Sequence, residues 1–161
     1  MSEHRIGAES EHLGDQVDSS PIDSSPVVNG GHKEWRNSKG ELHREDGPAI
    51  EYFDGTKEWY RNGELHREDG PAVENADGEK QWWMNDKFHR EDGPAIEYFD
   101  GTKEWYRNGE LHREDGPAVE CPDGERLWCR NGKRHRKDGP AVELANGIKE
   151  WWVNGEQVDP F

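Results

Sequence analysis

Between His43 and Leu65 the chain reads HREDGPAIEYFDGTKEWYRNGEL, short apolar–polar alternations cut by Asp46-Gly47, Asp54-Gly55 and Asn62-Gly63. Alternation with period two is the signature of strands that place successive side chains on opposite faces. The runs AIEYF, TKEWY and ELHR are rich in β-formers, none has helical spacing, and Gly or Pro every few residues would interrupt a helix. Asp-Gly and Asn-Gly are the preferred dipeptides of two-residue type I′ hairpin loops, in which both residues need positive φ. Antiparallel strands follow. Pro48 after Asp46-Gly47 leaves two readings open: a tight turn giving three strands, or a wider loop leaving one hairpin.

Two-residue loops fix a register. Asp54-Gly55 sets Phe53 opposite Thr56 and Ile50 opposite Trp59; Asn62-Gly63 sets Tyr60 opposite Leu65 and Trp59 opposite His66. One face then carries Ile50, Tyr52, Lys57, Trp59 and His66, the other Ala49, Glu51, Glu58, Tyr60 and Leu65.

The whole pattern recurs every 23 residues, as His43, His66, His89, His112 and His135 mark, and His43 to Glu74 is identical to His89 to Glu120. Self-similarity of this kind indicates a repeat architecture whose units contact only their neighbours. The expected core pairs are Ile50 with Trp59, Val73 with Trp82, Ile96 with Trp105, Val119 with Trp128, and Val142 with Trp151. The expectation is an all-β, elongated single sheet of antiparallel hairpin repeats. Its domain runs over 32–161, with a partial first repeat at 32–42, copies from His43 and a C-terminal cap at 156–161 in which Val158 and Phe161 act as lids. Residues 1–31 do not repeat and read as a disordered acidic leader.

Composition sharpens this. Only 29% of the 161 residues are hydrophobic, which suits a thin repetitive fold with eight tryptophans better than a globule. A net charge of −15 disfavours direct contact with nucleic acid or an anionic membrane and favours basic partners. No apolar stretch is long enough for a membrane helix, and the first residues lack the form of a secretory signal. Cys121 and Cys129 are the only cysteines, too few for a disulfide framework, so a cytoplasmic setting with free thiols is expected.

Asn131-Gly132-Lys133-Arg134-His135, followed by a glycine-containing turn, an aliphatic strand and Asp-Gly, resembles the membrane occupation and recognition nexus (MORN) repeat, in its looser bacterial and viral form. The resemblance spans about 32–155. It implies stacked β-hairpins in an elongated curled sheet, and a role as scaffold, dimerisation module or adaptor. The Gly-x-Gly that opens the family's second strand is here Asp-Gly-Pro-Ala, as at Asp69 to Ala72, and the glycine expected near Glu58-Trp59 is absent.

The histidine column invites a metal reading, but side chains two or three strands apart are roughly 10–14 Å apart, too far to share an ion. His-Arg-Glu-Asp in every copy supplies no single privileged acid or base, and no nucleophile elbow, phosphate loop or zincin motif is present. The histidines are therefore expected to pack on tryptophan or donate to turn carboxylates, with no catalytic residue, metal or cofactor. What remains is a surface: Tyr60, Trp83, Tyr106 and Trp152 with Leu65, Phe88 and Leu111, flanked by Glu51, Glu58, Glu97 and Glu104. Aromatics of this kind make protein-contact faces. The expected function is non-enzymatic protein binding or scaffolding, with a basic protein among the expected partners. Two rivals are an acidic inhibitor imitating nucleic acid toward a basic nuclease or host-defence protein, as a viral protein does, and a module that self-associates into a homo-oligomer.

Overall fold

A computed structural model describes residues 25–160; the expected leader up to residue 24 and the Phe161 lid lie outside the described residues. Among the described residues there is no helix. The architecture is one long antiparallel sheet of 13 strands plus a row of two-stranded hairpins beside it.

Each copy contributes two strands to the long sheet. In the first full copy these are Ile50–Tyr52 and Lys57–Glu58, and the next strand along is Val73–Glu74. The strand is interrupted at Trp59, whose N–H donates to the Ala72 carbonyl (2.8 Å) and whose carbonyl accepts from His66 (3.0 Å). Beyond that point, Tyr60–Arg61 and Glu64–Leu65 form the small hairpin, with Tyr60 opposite Leu65 as the sequence indicates. Asn62 and Gly63 have φ of 51° and 85°, the type I′ signature. Neither Asp46 nor Gly47 has positive φ, so that dipeptide opens a wide loop back to the long sheet. In the last copy the interruption is absent and Lys149–Val153 is one strand.

The Asp-Gly turn corrects the expected register. Asp54 does not have positive φ, while Gly55 does, at 99°. The Gly55 N–H donates to Tyr52 O (3.1 Å) and the Tyr52 N–H to Thr56 O (2.9 Å), a three-residue loop closed by a glycine bulge. Tyr52 therefore faces Thr56, Glu51 faces Lys57, and Ile50 faces Glu58 rather than Trp59. A one-residue slip moves every side chain of a strand to the other face. Ile50, Val73, Ile96, Val119 and Val142 consequently stand on the side of Glu58 and Tyr60. Trp59, Trp82, Trp105 and Trp128 share the opposite side with Ala49, Glu51 and Lys57.

The corrected register produces a charge ladder that the sequence reading missed. Lys33, Glu51, Lys57, Glu74, Lys80, Glu97, Lys103, Glu120, Arg126, Glu143 and Lys149 are consecutive cross-strand partners, alternating in sign. Opposite charges directly across a sheet contribute roughly 0.2–1 kcal/mol each. The apolar core is thin: Ala49, Ala72, Ala95, Ala118 and Ala141 are fully buried, with Ile50, Val73, Ile96 and Val142 nearly so.

The N-terminal end of the sheet differs from expectation. Val27–Asn29 pairs with His32–Glu34, so strand structure begins inside the segment assigned to the leader. A sheet needs a first strand, and that strand need not obey the repeat. At the other end Glu156–Val158 folds back on Trp151–Val153, with Val158 opposite Trp151.

Candidate functional site

The wide loop His-Arg-Glu-Asp-Gly-Pro is built around its arginine. The guanidinium of Arg67 lies 4.0 Å over the ring of Trp59, and Arg44, Arg90, Arg113 and Arg136 cover Trp35, Trp82, Trp105 and Trp128 at 3.9–4.1 Å. Arg67 Nε donates to Asp69 (2.8 Å), and its Nη1 donates to the Pro71 carbonyl (3.0 Å) and to Glu74 (3.1 Å). One side chain thus ties the loop to the tryptophan and to the charge ladder. The same bonds hold Asp46, Asp69 and Asp92 below the usual carboxylate range, the arginine hydrogen bond acting first and its charge second. The glycine of each loop lets the arginine lie close: a Cβ on Gly70 would stand 2.9 Å from Arg67 Cζ.

The histidines tie each wide loop to the Asn-Gly turn that follows it. Nδ1 of His43, His89, His112 and His135 accepts the backbone N–H of that turn, at Asn62, Asn108, Asn131 and Asn154, at 3.0–3.2 Å. The Nε2 of His66 lies 3.3 Å from Glu68 in the same loop and 3.2 Å from Arg61 Nη1, which itself donates to Glu68 (2.9 Å). The Nδ1 contact to the following turn is new, because it needs two loops that sequence spacing does not bring together.

The predicted aromatic face forms in part. Tyr60, Trp83, Tyr106 and Trp152 are half-buried and direct their polar tips to the residue two before them: Tyr60 to Glu58 (3.1 Å), Trp83 to Gln81 (2.9 Å), Tyr106 to Glu104 (3.0 Å) and Trp152 to Glu150 (2.8 Å). Phe88 stacks on Trp83 at 3.7 Å and reaches Tyr106 at 5.1 Å, while Leu65 and Leu111 sit opposite Tyr60 and Tyr106. Burial, reinforced by the neighbouring glutamate, pushes the Tyr60 and Tyr106 phenols well above their ordinary range. Glu58 and Glu104 belong to this face. Glu51 and Glu97 do not; after the register slip they stand on the tryptophan side, bonded to Arg44 and Arg90.

Successive wide loops leave grooves between them. One of about 660 Å³ lies between the loops at 67–71 and 89–92 and exposes Trp82 and Met84. The next, about 510 Å³, is lined by 90–94, Trp105, Arg107 and 112–115. A third, about 410 Å³, is lined by 113–116, Trp128, Arg130 and 135–138, including Lys137. Strand alternation does not reveal these grooves, although the unbroken recurrence of Arg and Trp together carries the signal.

Cys121 and Cys129 are free thiols, and Cys129, which holds the Tyr60 position, is buried. Burial pushes its pKa up to about 11. Cys121, Asp123 and Glu125 bring ligand atoms within 4.8 Å of one another, but Asp123 Oδ1 already accepts the Glu125 N–H within the turn. No model of a known protein family matches the chain, and no curated protein matches it.

Proposed function

We propose that the chain is a non-enzymatic protein-binding or scaffold module of the MORN-like kind, whose half-exposed aromatic column is the contact surface. The observation that carries this reading is the fixed row of Tyr60, Trp83 and Tyr106, each held by its own hydrogen bond and with Trp83 and Tyr106 bridged by Phe88. Rings already locked in place lose little freedom on binding, which favours affinity. The identical copies from His43 and His89 present the same contact twice.

Capture of partners from native cells by the full chain tests this, at about 50 mM and about 500 mM salt, where screening differs strongly. The scaffold reading expects capture that survives high salt and is lost in Tyr60→Ala/Tyr106→Ala. A second reading rests on the exposed Glu45, Glu68, Glu91 and Glu114 side chains at one edge. Imitation of nucleic acid there predicts a basic partner displaced both by salt and by DNA.

A further inference from the structure

His112 is only 9% exposed, and its Nε2 has no hydrogen-bond partner among the described residues. Its Nδ1 faces two atoms of Asn131, the backbone N at 3.2 Å and the side-chain Oδ1 at 2.8 Å, so the ring is held by that turn. The Glu114 carboxylate is 3.5 Å from Nε2 without a hydrogen bond. A buried ring nitrogen left in this state calls for a hydrogen-bond partner, and His112 lines the groove between the loops at 90–94 and 112–115.

We propose that this groove and the one before it are adjacent seats for two cationic side chains of an extended, polyproline-II segment of a basic partner, with His112 Nε2 hydrogen-bonded to the backbone of that segment. The proposal rests on the protein-binding reading above and names the partner's chemistry.

Charge, spacing and the unpartnered ring nitrogen point the same way. Glu68, Asp69, Glu91 and Asp92 line the first groove, and Glu91, Asp92, Glu114 and Asp115 the second. Loop arginines Arg67, Arg90 and Arg113 are already held on tryptophan and aspartate; the one other cation is Arg107, where the first groove has Met84. Each copy adds two strands to the long sheet, so neighbouring grooves are roughly 10 Å apart at about 4.8 Å per strand. Polyproline II returns the same face every three residues, about 9.3 Å, and leaves its carbonyls free. A β-strand puts residues three apart on opposite faces, and an α-helix has its carbonyls engaged in its own bonds.

The third groove marks the end of the cationic row, because Lys137 replaces the glutamate of the other loops and Arg130 lines the wall. Two occupants have the wrong sign. Residues 1–24 carry six acids against Arg5, and a second copy brings a further −15.

The test uses the full chain with synthetic peptides at about 150 mM salt. One series is Arg-Pro-Pro repeats with arginine at every third position, in two- and three-arginine lengths. A control of the same charge and proline content has its arginines adjacent. Exposed charge contacts of this type give severalfold effects, so the spaced peptide should bind about fivefold tighter than the clustered one. It should also shift the His112 Nε2 resonance. Glu91→Gln, which removes a carboxylate common to both grooves, should weaken the two-arginine peptide about fivefold. Lys137→Glu should strengthen binding of the three-arginine peptide severalfold and leave the two-arginine peptide unchanged. Equal affinity for spaced and clustered peptides, or an unmoved His112 resonance, overturns the proposal. Partner capture that still depends on Tyr60 and Tyr106 would then leave the scaffold reading standing; loss of both removes both.

Discussion

Replacing Gly93 by alanine inserts one methyl group into the tightest contact of the wide loop. Gly93 does not have positive φ, so alanine suits the backbone, and by itself the change stabilises by about 0.4–1 kcal/mol through the unfolded chain. Space decides the sign. The new Cβ would lie 2.9 Å from Arg90 Cζ, 3.1 Å from Nε and 3.2 Å from Nη2. Those near-equal distances place it over the face of the guanidinium, and the other face rests 3.9 Å above the Trp82 ring. The arginine has no retreat toward the tryptophan and must swing away. It then gives up the stack, worth about 0.5–2 kcal/mol, and its bond to the Pro94 carbonyl (3.2 Å), worth about 1 kcal/mol. The ion pair with the exposed Asp92 adds little. After the alanine gain is subtracted, the net cost is about 1–2 kcal/mol. Urea unfolding followed by tryptophan fluorescence measures it. The decisive comparison is Gly93→Ala in an Arg90→Ala background, where the clash has no target and the substitution should become neutral or slightly stabilising. Additive costs in the two backgrounds, or a neutral Gly93→Ala alone, would show that the glycine is not there to admit the arginine.

Cys129, with its thiol raised to about 11 by burial, should react with a disulfide reagent at pH 8 far more slowly than in denaturant; equal rates would contradict its burial. The lowered pKa values of Asp46, Asp69 and Asp92 mean that their contribution to stability is present above the ordinary carboxylate range and lost as pH falls through the folded values. The urea midpoint should therefore drop below roughly pH 4, and an unchanged midpoint between pH 5 and pH 3 refutes the loop ion pairs. All four tyrosines are raised, chiefly by burial, so the stability they confer is present below their unfolded pKa and lost as pH rises through the folded values. Phenolate absorbance should appear above the ordinary pH of about 10 and together with unfolding; tyrosines that ionise near 10 in the native protein would refute it. Asn108→Ala, at a φ of 53°, should cost about 1 kcal/mol in the same urea assay, because asparagine accepts the left-handed conformation far more readily than alanine; no loss would mean the turn is not the tight one seen.

The sequence by itself determined the all-β class, the hairpin at Asn62-Gly63 and the pairing of Tyr60 with Leu65. Each is a local matter: strand alternation and a dipeptide that tolerates positive φ at both positions. The same logic failed at Asp54-Gly55, because Asp-Gly suits both a two-residue loop and a three-residue loop with a glycine bulge. Only the bonds made by neighbouring strands select between them, and the choice moved Glu51 and Glu97 off the aromatic face. The arginine–tryptophan stacks, the histidine that reaches the following Asn-Gly turn and the grooves were invisible for a related reason. They join residues through the path of a wide loop, and alternation along a strand carries no information about where such a loop returns.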